Sequence, residues 1–166
     1  MNPSQSGKTG GRIITQELVS LIRRQFVLDW SGIHGAPHWA RVRVNGLRLA
    51  EKTCARPDVI ELFAFLHDTQ RKNDGRDPEH GKRAADFAVT LQGKLFTLDD
   101  EGLTLLCAAR TGHSDGLVEA DITVQTCWDA DRLDLGRIGV TPDPAYLCTA
   151  AARDPQMIEW ALKRSR

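Results

Sequence analysis

The dipeptide His67-Asp68 directly follows the apolar run ELFAFL, residues 61–66. An imidazole at the end of an apolar helix complements the negative end of the helix dipole. A carboxylate does not. It meets that negative end in apolar surroundings and needs a cation. A metal ion is one candidate, and the side chain of Arg71 or Lys72, three and four residues on, is the other. Donors of the same types lie far off in the chain. His38 falls in the first turn of an expected helix, in His38-Trp39-Ala40-Arg41-Val42, and Asp131 falls toward the end of another, in Asp129-Ala130-Asp131-Arg132-Leu133-Asp134. Nitrogen and carboxylate ligands carried by three packed helices make metal sites in bundle cores. Two imidazoles and two carboxylates leave open positions on an octahedral ion and suit Mn, Fe, Co, Ni or Mg, with Zn also accommodated. Spacing alone does not establish this set. Nor does it choose Asp131 over Asp129 or Asp134, which have Arg132 and Arg137 as alternative partners.

The elements that must bring these residues together read as helices. From Thr15 the residues Leu18, Leu21, Ile22, Phe26 and Val27 recur at helical spacing, with Glu17, Arg23 and Arg24 between them. A loop, residues 31–37, leads to a second helix running to about Cys54, with Pro37 in its first turn and Trp39, Val42, Leu49 and Ala50 inward. Pro57 opens a third, apolar on nearly every face from Val59 to Leu66 and so expected to be central. After a polar loop at 69–76, Asp77-Pro78-Glu79 is expected to start a fourth helix that ends near Leu91. Further helices are expected over about 98–111, closed by Gly112, over about 121–133, ending at Gly136, and over about 155–163. No β-alternation and no internal repeat stand out. The expectation is an all-α fold: a single compact helical bundle of six or seven helices over residues 12–166, behind a disordered tail at 1–11.

Composition narrows the function. The chain has 166 residues, 22 basic and 22 acidic side chains, and no formal net charge. A binder of polymeric nucleic acid usually carries a positive excess, so that class is disfavoured. With 41% hydrophobic residues the chain can fold around a core, yet no apolar run reaches the roughly 20 residues that span a membrane. Residues 1–11 lack an apolar stretch, so no secretory signal is expected. Ser6-Gly7-Lys8-Thr9 resembles the end of a phosphate-binding loop, but the required glycine five residues earlier and the preceding strand are missing. The cysteines at 54, 107, 127 and 148 form no close pair and read as small buried thiols in a reducing, cytoplasmic setting.

The order His38 … His67-Asp68 … Asp131 resembles the HD-domain metal-dependent phosphohydrolase superfamily, whose signature is a histidine, a His-Asp pair and a distant aspartate. HWARV is similar to the family's first-helix HxxRV pattern, FAFLHDTQR to its LHD helix end, and CWDADRLDLGRIG to its DADRLD segment. The resemblance covers about residues 30–140. It implies a helical fold and a divalent metal held by His38, His67, Asp68 and Asp131, and it is the resemblance that selects Asp131. In some members histidines between the pair and the last aspartate bind a second metal or the substrate phosphate. His80 and His113 occupy that stretch; the plainer reading makes them an exposed first-turn residue and a helix end. Many members carry a lysine or arginine just after the pair, which implies a catalytic role for Arg71 and Lys72 on phosphate oxygens; the plainer reading makes them solvated charges on a polar loop. Some place a proton-donating acid there, where this chain has Gln70, Arg71 and Lys72. Asp74, Asp77 and Glu79 are nearby substitutes. His34 reads either as a loop residue near the site or as an ordinary surface histidine.

The implied activity is hydrolysis of a phosphate ester on a small phosphorylated metabolite or nucleotide, through a metal-activated water. Asp68 would be a ligand, bridging two ions where His80 and His113 hold a second. Two alternatives remain at this level: an HD-fold di-iron oxygenase, and a non-catalytic metal- or nucleotide-binding module. Substrate, metal identity and homo-oligomerisation stay open.

Overall fold

The computed structural model describes residues 12–165, and the tail expected at 1–11 lies outside the described residues. Among the described residues there are eight α-helices: α1 Gln16–Gln25, α2 Ala36–Thr53, α3 Pro57–Leu66, α4 His80–Leu91, α5 Asp100–Gly112, α6 Ile122–Arg132, α7 Ala150–Arg153 and α8 Pro155–Ser165. Two short 3-10 turns, Leu135–Ile138 and Pro144–Tyr146, separate α6 from α7. No strand occurs among the described residues; Gln92 and Phe96 form an isolated bridge. No helix among them is long and apolar enough to cross a membrane.

The all-α expectation therefore holds, with one helix more than the expected six or seven. The addition is α7, which fills a single turn between Thr149, whose hydroxyl accepts from the Ala152 N–H, and Pro155, which starts α8. Four residues are too few to show a period. Start and stop positions move for local reasons. Helix α1 stops at Gln25, and Val27, expected on its apolar face, is 73% exposed. Helix α4 starts at His80 rather than Asp77, because the Asp77 carboxylate is taken by the Lys72 N–H and by Arg83 Nη2. Helix α5 starts after Asp99, whose carboxylate caps the Gly102 N–H. Cys127 and Cys148 are buried as expected, but Cys107 is half-buried and Cys54 exposed. Cys54 ends α2 in the left-handed conformation (φ 58°).

Helix α3 is the hub. Val59, Ile60, Leu62, Phe63, Ala64 and Leu66 are all buried, and it packs against α2, α5 and α6. Fully burying each large apolar side chain contributes about 1.5–3 kcal/mol. Two glycines set the helix spacing. A Cβ at Gly46 would run into Ile60 and Ala130, so glycine there lets α2 lie close to both α3 and α6. A Cβ at Gly81 would overlap the Arg110 carbonyl oxygen, so glycine there lets the start of α4 rest on the end of α5. Asn45 Nδ2 donates to the Ala130 carbonyl (3.1 Å) and Trp128 Nε1 to that of Ala109 (2.8 Å), tying α2 to α6 and α6 to α5. A second apolar cluster, with Leu49, Leu133, Met157 and Ala161, seats α8 against the far side of α2 and the chain following α6.

Candidate metal centre

Five helix ends meet at one end of the bundle. His67 and His113 are the C-cap residues of α3 and α5, and Asp131 lies in the last turn of α6. His38 and His80 sit in the first turns of α2 and α4. Three helix C-termini, the negative ends of their dipoles, thus face a common point and favour a cation there.

The first group of ligand atoms is compact. His38 Nε2 and His67 Nε2 are 3.1 Å apart. Asp68 Oδ2 lies 3.8 and 3.6 Å from them, and Asp131 Oδ1 lies 3.2 and 3.7 Å from them. Bonds of about 2.1 Å place neighbouring ligands about 3.0 Å apart in an octahedron and about 3.4 Å apart in a tetrahedron, so these separations fit a single ion. The second group uses the other oxygen of Asp68. Oδ1 lies 3.3 Å from His80 Nε2 and 3.6 Å from His113 Nε2, and those two nitrogens are 2.8 Å apart. His38, His67 and Asp68, and likewise Asp68, His80 and His113, form two buried triads able to hold a metal ion, with Asp68 common to both.

The orientation of the imidazoles carries the argument further. Every Nδ1 faces an atom that can only accept a hydrogen bond. His38 Nδ1 donates to Asp134 Oδ2 (2.7 Å), and His67 Nδ1 to the Phe63 and Ala64 carbonyls (3.2 and 3.1 Å). His113 Nδ1 donates to the Arg110 carbonyl (2.7 Å) and His80 Nδ1 to that of Asp77. With the Nδ1 proton fixed, each neutral ring turns a bare lone pair toward the centre. Two close pairs of lone pairs beside a carboxylate are repulsive unless a cation joins them. A cation in each group would relieve this repulsion, with His38, His67, Asp68 and Asp131 around one and Asp68, His80 and His113 around the other.

Burial and the facing carboxylates pull the imidazoles in opposite directions. Burial would lower His38, but the carboxylates of Asp131 and Asp134 outweigh it and raise its pKa above the ordinary value. Burial likewise opposes His113, and Asp68 with Asp131 raises it. His67, which has no such carboxylate bond, is pushed down to about 3 by burial. Burial alone would raise Asp68 and Asp131, but the surrounding imidazoles hold both well below the usual carboxylate range. An ion competes with protons for the Nε2 atoms of His38 and His113. We expect proton release on adding Mn²⁺ at pH 7, and an apparent affinity that weakens as pH falls. A pH-stat titration checks this; the absence of proton release would show that the sites are already deprotonated.

Other sequence candidates divide clearly. Arg71 reaches the centre: Nη1 lies 3.2 Å from His80 Nε2 and 3.6 Å from Asp68 Oδ1, while Nη2 is tethered to the Gly75 carbonyl (2.7 Å). Lys72 does not. It is exposed, and only its backbone N–H is engaged, by Asp77. Asp74 and Glu79 are exposed, and Asp77 is engaged by Arg83. Asp129 is neither a ligand nor an arginine partner. Its carboxylate accepts from the Cys148 N–H (2.6 Å), the Thr149 N–H (2.9 Å) and the Thr149 hydroxyl (2.7 Å), anchoring the start of α7.

Two residues have more of a part than the sequence gave reason to expect. His34 Nδ1 donates to Asp68 Oδ2 (2.8 Å). Its loop is clamped by edge-to-face contacts among Phe26, Trp30 and Trp39. Asp134 orients His38 and is itself held by Arg41 Nε (2.7 Å) and Arg137. Such outer partners usually matter 10–100-fold for metal affinity. Asp134→Asn should keep the fold and weaken Mn²⁺ binding by about 10–100-fold in calorimetry. Unchanged affinity would mean that packing alone sets the His38 ring.

No family model matches the chain, and neither a curated protein nor a solved structure does.

Proposed function

We propose that the protein is a metal-dependent phosphohydrolase of the HD-domain type, acting on a small phosphorylated metabolite or nucleotide. The observation that carries this reading is the convergence of four Nε2 lone pairs on the two oxygens of Asp68, with every Nδ1 already committed. When bound at such a site, a divalent ion supplies hydroxide from coordinated water near neutral pH and polarises a phosphoryl oxygen. The chain's own groups do the rest. Asp68 presents one oxygen to each triad, and the His34 N–H pins Oδ2. Burial of the four histidines keeps bulk water away, which strengthens every electrostatic contact. Arg71, tethered at Gly75, aims Nη1 at the same point, where its N–H groups can donate to a phosphate oxygen.

The first test is metal content by mass spectrometry on tag-free protein purified without chelator, followed by phosphate release from a panel of phosphorylated metabolites. The expected result is one or two transition-metal ions per chain and chelator-sensitive release. Protein that holds no metal and cannot be reloaded would sink the reading. The sharing of Asp68 by two triads also suits two irons, which makes a di-iron oxygenase the second reading. An iron absorption band with oxygen uptake on substrate would select it.

A further inference from the structure

We propose that the substrate of this site carries an uncharged ring beside its phosphate, and that the ring seats in an apolar cavity next to His113. This rests on the phosphohydrolase reading and adds the class of organic group. The cavity has a volume of about 350 Å³, and His113 and Ser114 form one edge of it. Leu135, Val140, Pro142, Tyr146 and Leu147 supply its apolar walls. An apolar cavity of about 150 Å³ holds benzene, so this volume suits one or two rings.

The two charged side chains in the wall are already occupied. Arg132 Nη1 donates to the Tyr146 carbonyl (2.8 Å) and Nη2 to that of Leu117 (2.7 Å). Asp143 Oδ1 accepts from the Ala145 N–H (2.8 Å). Both side chains are held in the wall by these backbone bonds, and their charges are opposite in sign. A second cavity, of about 310 Å³, is lined by charged and polar groups instead, with Arg71, Arg76, Asp77, His80 and Asp115 in its lining. Ser114 lines both cavities. The apolar one touches His113, the charged one touches His80, and the two Nε2 atoms are 2.8 Å apart. The two cavities thus share Ser114 and flank the His80–His113 pair. A phosphate belongs on the arginine side and an uncharged group on the other.

The surface supports the same assignment. Tyr146 is 62% exposed and Val140 46%, both on this cavity. Leu117, also exposed, lies on a segment that Arg132 ties to it. Large apolar side chains gathered at a cleft mouth, beside a polar site, mark a place where apolar ligand surface is buried. Tyr146 offers a flat face for stacking.

The test is calorimetric binding of two probes to the full-length, Mn²⁺-loaded protein: methylphosphonate, and phenylphosphonate, which adds only the ring. Phenylphosphonate should bind at least about tenfold more tightly, roughly the worth of one buried ring. In Val140→Asp and in Tyr146→Ala, both at exposed positions, that ratio should fall below about threefold with the melting temperature kept. A nucleoside monophosphate run alongside separates a nucleobase from a smaller ring as the better fit. Methylphosphonate binding with no preference for phenylphosphonate, or a preference that survives both substitutions, overturns the proposal and leaves the phosphohydrolase reading standing. Failure of both phosphonates to bind metal-loaded protein overturns the two together.

Discussion

Replacing Asp68 with alanine is expected to strip metal from both halves of the centre and to abolish turnover. No other side chain is shared by the two triads. Its Oδ2 faces His38 and His67 at 3.8 and 3.6 Å, and its Oδ1 faces His80 and His113 at 3.3 and 3.6 Å. Removing it also removes the anion around which four imidazoles and Arg71 gather, leaving mutually repelling groups. The loss in Mn²⁺ affinity should be at least about 10³-fold, on the order of 4 kcal/mol. Helix α3 ends before Asp68 and is held by its own buried face, so the far-UV circular dichroism should persist. Asp68→Asn, with nearly the same shape, guards against a trivial folding defect. Retention of metal and phosphate release by both variants would refute the site.

The second large effect is expected at a residue with no side chain. Gly81→Ala places a methyl group on the Arg110 carbonyl, the same oxygen that accepts from His113 Nδ1. Helix α4 must then move off α5, separating His80 Nε2 from its 2.8 Å neighbour. The other group stands on α2, α3, the turn after α3, and α6, and does not depend on this contact. Wild-type protein should load two ions in steps, the second weaker because Arg71 must withdraw from His80 and Asp68. The variant should lose the second step and keep the first. Overpacking of this kind costs about 1–3 kcal/mol, or about 2–4 °C in melting temperature per kcal/mol for a chain of this size. Two-step loading in Gly81→Ala would show that α4 yields without cost to the ligands.

Much of this was legible in the residues, and the gaps have physical causes. The apolar run at 59–66 announced α3 and, with it, where His67-Asp68 would stand. The motif order singled out His38 and Asp131, which meet only through packing. Asp134 was readable in hindsight: three residues after Asp131, it falls on the same helical face, whereas Asp129, two residues before, falls on the opposite one. Its use as a support for His38 was not, since that contact crosses 96 positions of sequence. Arg71 and Lys72 look equivalent in sequence. The tight turn after α3 faces one inward and the other to solvent, a difference set by the carbonyls of Asn73 and Gly75. His34 depended on an aromatic clamp from Phe26, Trp30 and Trp39, a long-range arrangement with no local signature.

The distance in sequence between the groups at the centre bears on how the protein comes apart. His38 and Asp134 touch only when α2 lies against the end of α6, under the stitch from Asn45 to Ala130. Such a site has no counterpart in an extended chain, so an ion bound there stabilises the native state alone. Where contacts so remote in sequence close after the folding barrier, the ion slows escape from the native state and leaves the rate of reaching it nearly unchanged. Metal would then act as a latch on an already folded bundle, prolonging its lifetime without helping it to form.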